Sequence, residues 1–163
     1  MTLAECMRII QKHQQTAPVI VTAIARDLGL EVYNTNEWTD DISGMIRRDK
    51  EQGGASGYAI YVNGKHHENR RRFTIAHEIA HFVLHREFIG DGITDDALYR
   101  SALTSRQETQ ANQLAADILM PWPLLNAATA KGIGDVKALA SYFSVSPSAM
   151  SVRLGVPYET LTA

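Results

Sequence analysis

The sequence predicts an α+β fold, mostly helical, with a small antiparallel sheet of about three strands and a C-terminal pair of helices. Three observations lead there. Apolar residues recur at helical spacing through long runs at 72–86, 107–120 and 137–154. Only three short runs (30–33, 42–47 and 57–62) carry the strand pattern, and they lie close together in the first half of the chain. At 163 residues and 45% hydrophobic, the chain suits one compact body. We expect residues 1–130 to form that body and residues 131–163 to form a helical segment packed on it.

The elements follow in order. Thr2-Leu3-Ala4-Glu5 reads as a capping box opening a helix to about Gln14, with Leu3, Met7 and Ile10 on its apolar face. Pro18 leads a second helix, Val19 to Leu28, which Gly29 stops. The three strands come next, the last and strongest ending at the turn Asn63-Gly64. Asn69 is placed to cap a third helix that runs to about Arg86. A long loop leads to about Ser105, then a helix carries Gln107 to Met120. Pro121-Trp122-Pro123 marks a corner.

Residues 137–154 read as helix, tight turn, helix, the pattern of a helix-turn-helix. A DNA reader would need basic side chains on the second of these helices, and only Arg153 is there. Packing on the body, or docking a partner, is therefore the preferred reading, and direct DNA contact is disfavoured. The overall balance agrees, with 16 basic against 18 acidic residues and a net charge of −2. The single Cys6 can form no internal disulfide. The N-terminus lacks the basic and apolar pattern of a signal peptide, and no apolar run approaches a membrane span. A cytoplasmic protein is expected.

His77-Glu78-Ile79-Ala80-His81 is an HExxH pentapeptide within the third helical run. Residues four apart stand on one helix face, so the two imidazoles can close on a single tetrahedral ion. Glu78 is then near enough to take a proton from a water held there. Zinc is the natural ion for two imidazoles, and such a water has its pKa drawn toward ~7. The same donors accept manganese or iron.

The pentapeptide recurs by chance, and two histidines leave the ion one protein ligand short. Candidates downstream are His85, Glu87, Asp91, Asp95, Asp96 and Glu108. His85 continues the i, i+4 series, but it stands ~12 Å along the axis from His77, too far for both to meet one ion. Glu108 opens the next helical run, and a carboxylate on a second helix packed against the first would complete a His2Glu set. Asn112, one turn on, could accept the Nδ1 proton of His77 and fix its tautomer.

Arg72 through His85 (Arg-Phe-Thr-Ile-Ala-His-Glu-Ile-Ala-His-Phe-Val-Leu-His) resembles the zinc-helix signature of the ImmA/IrrE metallopeptidases. Glu108 through Pro121 resembles their second signature, ExxANxFAAxLLMP, at the expected interval. Looser similarity over 17–32 and 139–154 extends the resemblance to most of the chain. Ala80 replaces the usual Gly and Leu114 the usual Phe, neither of them a ligand.

The resemblance implies a minimal zincin-like fold and a gluzincin-like endopeptidase. His77, His81 and Glu108 would hold zinc, with Glu78 as general base. Relatives cleave helix-turn-helix repressors, which implies a protein partner of that kind. In zincins an edge strand beside the zinc helix pairs with extended substrate. Here the expectation falls on the strand 57–62, making Tyr58 and Ile60 candidate substrate-binding residues. Arg72, in the basic run Lys65 to Arg72, joins them as a residue of the cleft rim. Tyr99, His85 and Arg100 stay open as oxyanion stabilisers. The rival reading is a non-cleaving zincin-fold module that holds a repressor or a toxin partner.

Overall fold

The Thr2 hydroxyl accepts the Glu5 amide at 3.2 Å while the Glu5 carboxylate accepts the Thr2 amide at 2.7 Å. This reciprocal cap opens α1 (Leu3–Lys12), which buries Cys6 and Ile10. The computed structural model describes residues 1–90 and 103–157. Helix α2 (Val21–Asp27) starts later than Pro18 suggests, because Val19 is buried in the core and Ile20, the N-cap, is extended. His13 reaches Asp27 at 2.7 Å and ties α1 to α2, and this hydrogen bond holds the Asp27 carboxyl below its usual pKa. Gly29, with φ of +83°, ends α2 and turns the chain into the sheet.

The sheet holds β1 (Leu30–Thr35), β2 (Gly44–Arg48) and β3 (Tyr58–Asn63) in the order β1-β3-β2. It is mixed, which corrects the antiparallel expectation. β2 and β3 are joined by a hairpin and run antiparallel, Gly44 opposite Val62 and Arg48 opposite Tyr58. The connection from β1 crosses to the far side before the hairpin begins. β1 therefore lies parallel to β3, Leu30 opposite Tyr58 and Thr35 opposite Asn63. Asp49 organises the hairpin loop, accepting the amides of Glu51 and Gln52 and the Tyr61 hydroxyl. The Gln52 amide, foremost, with Tyr61 holds the Asp49 carboxyl near pKa 2.

The sheet order bears on the strand expected to meet a substrate. β3 is the central strand, hydrogen-bonded on both sides, so it has no edge to offer a substrate. Ile60 is fully buried, and Tyr58 packs edge-to-face on Phe82 at 5.2 Å between centroids. Both serve the core. The outer strand on the hairpin side is β2, whose Arg48 amide donates outward to the Gly90 carbonyl at 2.9 Å.

Helix α3 (Glu68–Leu84) lies across β2 and β3. Its N-cap is His67, whose Nδ1 accepts the Asn69 amide at 3.0 Å, so Asn69 is not the cap. The Asn69 side chain donates instead to the Val145 carbonyl. The helix ends at Leu84, with His85 as its cap, and a 3-10 turn follows at Arg86–Phe88. Thr104 and Gln107 form a second capping box for α4 (Ser105–Leu119), which packs along α3.

After the corner, α5 (Trp122–Ala130) begins at once, with Pro121 as its N-cap and Pro123 in its first turn. Proline is tolerated there because first-turn amides have no carbonyl to reach. The C-terminal pair is α6 (Val136–Phe143) and α7 (Pro147–Leu154), each opened by a side-chain cap, Asp135 or Ser146. Two arginines fasten the pair to the body. Arg72 donates to the carbonyls of Ser144 at 3.1 Å and Phe143 at 3.4 Å. Arg153 donates to the Met120 carbonyl at 3.1 Å and to Asp117 at 2.7 Å, its guanidinium over the Trp122 ring. Arg72 is thus a tether, not a residue of a cleft rim, and burial lowers its pKa. Arg153, the one basic residue of α7, also points into the molecule. Among the described residues no helix is long and apolar enough to cross a membrane.

Candidate metal centre

Helix periodicity sets His77 and His81 one turn apart on α3, and α4 brings Glu108 opposite them. The two Nε2 atoms are 3.1 Å apart. Glu108 approaches His77 Nε2 at 3.1 Å with one oxygen and His81 Nε2 at 3.2 Å with the other. These donors lie within 4.8 Å of one another, close enough to hold one metal ion. A tetrahedral ion with bonds of ~2.0–2.1 Å would set its ligand atoms about 3.3 Å apart.

The orientation of the rings is a second test of fit. His77 Nδ1 lies 2.8 Å from the Asn112 side-chain oxygen, which can only accept, so the ring proton sits on Nδ1. In a neutral His77 the Nε2 lone pair then faces a carboxylate that also carries only lone pairs. Acceptors facing one another this closely need a cation between them, and a divalent metal suits two imidazoles and a carboxylate.

Glu78 is fully buried on the side of α3 that meets β2. A cavity of about 260 Å³ brings Glu78, His77 and Asn112 together with Ser43, Gly44, Phe73 and Thr74. A wider groove of about 990 Å³ shares Ser43, Phe73, Thr74 and Asn112 and runs on between α3, α4 and α7, past Ala116 and Val152.

The other sequence candidates fall elsewhere. Glu87 is exposed in the 3-10 turn and outside the cluster. His85 is buried and faces His81 and Gln110, away from the donor atoms of Glu108. Asp91, Asp95, Asp96, Tyr99 and Arg100 lie outside the described residues.

Gly44 was not visible as a site residue. A Cβ there would lie 2.5 Å from the Thr74 methyl, 2.9 Å from the Tyr61 carbonyl and 3.7 Å from Glu78 Oε2. Only glycine lets β2 come this close to the face of α3 that carries Thr74 and Glu78, a contact made across thirty residues of sequence that no local pattern signals. We expect Gly44→Ala to lose about 1–3 kcal/mol, the usual cost of overpacking. Chemical denaturation measures it, and an unchanged midpoint would show that β2 moves aside freely.

Two imidazoles from an HExxH helix and a carboxylate from a neighbouring helix, on an α+β frame, form a His2Glu set able to hold a metal ion. Residues 26–155 match the Peptidase_M78 model, the IrrE N-terminal-like domain, and the chain belongs to that family. Among solved structures, a Mycobacterium tuberculosis transcriptional regulator is similar in fold, with a TM-score of 0.64 and 16% identity. The match covers 94% of this chain and 46% of that one, so the chain spans less than half the regulator's length. Curated proteins yield no match.

Proposed function

We propose that the chain is a zinc-dependent endopeptidase whose substrate is a helix-turn-helix transcriptional repressor. The observation that carries the reading is the convergence of His77, His81 and Glu108 beside the buried carboxylate of Glu78. Membership of the M78 family supports the chemistry. That the solved relative in fold is called a transcriptional regulator agrees with a regulatory setting.

In this reading His77, His81 and Glu108 hold the ion, and Asn112 keeps the His77 proton on Nδ1. Zinc, when bound, supplies Lewis-acid polarisation of the scissile carbonyl and acidifies a water. Glu78 takes the proton of that water and returns it to the leaving amine, and its burial excludes competing solvent. The substrate backbone passes the cavity lined by Ser43, Gly44, His77 and Glu78. Its side chains reach into the groove between α3, α4 and α7. Residues 1–130 carry the chemistry, and α7, within 131–163, supplies one wall of that groove. A cytoplasmic site of action goes with a repressor substrate.

The test is incubation of the metal-loaded chain with a helix-turn-helix repressor encoded beside it, followed by intact-mass analysis. Two fragments summing to the repressor, lost when a chelator is added, are the expected result. An intact repressor in stable complex with the chain would favour a non-cleaving regulatory module instead.

A further inference from the structure

His85 is buried, with 4% of its surface exposed, yet it lies too far along α3 to share the ion with His77. Its Nδ1 stands 3.0 Å from His81 Nδ1, and its Nε2 stands 2.9 Å from the Gln110 side-chain oxygen. We propose that His85, set by Gln110, is a positioning residue that fixes the proton of His81 and thereby frees His81 Nε2 for the metal. The inference rests on the metal reading above and adds a residue pair to it.

The argument is one of proton accounting. Two imidazole nitrogens at 3.0 Å share one proton, and either ring could carry it. The far side of His85 decides. The Gln110 oxygen only accepts, so His85 Nε2 must donate to it. A neutral His85 then has a lone pair on Nδ1, which accepts the Nδ1 proton of His81. His81 Nε2 is left with its lone pair, pointing at Glu108 and His77.

Reversing the Gln110 amide would reverse the chain and place a proton on His81 Nε2, where it would block the ion. Helix α4 thus supplies more than a ligand. Glu108 provides the carboxylate, Asn112 orients His77 directly, and Gln110 orients His81 through His85. Partners of this kind also raise the basicity of a ligating imidazole.

The experiment compares wild type, His85→Phe, His85→Gln and Gln110→Leu. Zinc affinity is read by competition with a chromophoric chelator, and the ligand field from the absorption spectrum of the cobalt-substituted protein. Imidazole tautomers of the metal-free wild type are read by long-range 1H–15N NMR. His85→Phe should weaken zinc roughly 10- to 100-fold and shift the cobalt bands. Gln110→Leu should shift both in the same direction by less. His85→Gln restores an acceptor and should recover part of the affinity.

In the metal-free wild type, His81 should show the Nδ1–H form and His85 the Nε2–H form. The opposite tautomers, or zinc affinity and cobalt spectra equal in wild type, His85→Phe and Gln110→Leu, would overturn the relay while leaving the metal site standing. A wild type that takes up no divalent ion would sink both. Should His85→Phe fail to fold, Gln110→Leu decides, because Gln110 is only half-buried. A wild type that binds zinc and shows the expected tautomers but cleaves no peptide would reject the peptidase reading and leave the relay supported.

Discussion

Glu78→Gln is expected to keep the fold and the bound metal while cleavage falls by roughly 10²–10⁴-fold, the usual weight of general acid–base catalysis. Glutamine preserves the volume of a side chain with no exposed surface, so the body should not repack around it. What it removes is an acceptor that can carry a proton from water to the departing amine. Single-turnover cleavage with metal content measured on the same sample separates the two effects. A variant that cuts at the wild-type rate would remove Glu78 from the chemistry. One that loses its metal would mean that the carboxylate holds the site together instead.

Glu108→Ala acts at the other half of the centre. The carboxylate contacts both imidazoles, at 3.1 Å and 3.2 Å, so its removal leaves two donors where there were three. Metal affinity should fall by more than the 10- to 100-fold typical of losing a hydrogen-bonding partner of a ligand. Hydrolysis should fall with it. Glu108 is part-exposed, near the start of α4, and its loss opens no core cavity, so thermal unfolding of the metal-free protein should change little. Unchanged metal occupancy by atomic absorption would exclude Glu108 as a ligand.

Both predictions draw on residues that local spacing made legible. The HExxH pentapeptide fixes its own geometry once it is helical, because one turn of helix superimposes His77 and His81 whatever the rest of the chain does. The capping boxes at Thr2 and the helical spacing of 107–120 are likewise local and were readable. Sheet order was not. Nothing within 57–62 tells whether that strand lies at an edge or in the middle, since this depends on the side along which β1 enters. The substrate contacts expected of Tyr58 and Ile60 presuppose an edge position, which β3 does not hold.

Arg72 misled differently. A basic run before a helix looks solvated, and only the distant carbonyls of Phe143 and Ser144 make Arg72 a tether. α5 was hidden behind its own prolines, which read as a stop although both lie where a helix can begin. The links from His85 to His81 and Gln110 and the approach of Gly44 to Glu78 are tertiary contacts. Sequence spacing supplies the residues but not the meeting.

Two donors come from one helix and the third from another that begins twenty residues further along the chain, with no covalent bond joining them. An ion seated among them would act as a rivet between segments that otherwise adhere through apolar packing and the His77–Asn112 and His85–Gln110 hydrogen bonds. Assembly of the body and capture of the ion would then be one linked equilibrium, with metal supply setting how much of the chain is held in working shape.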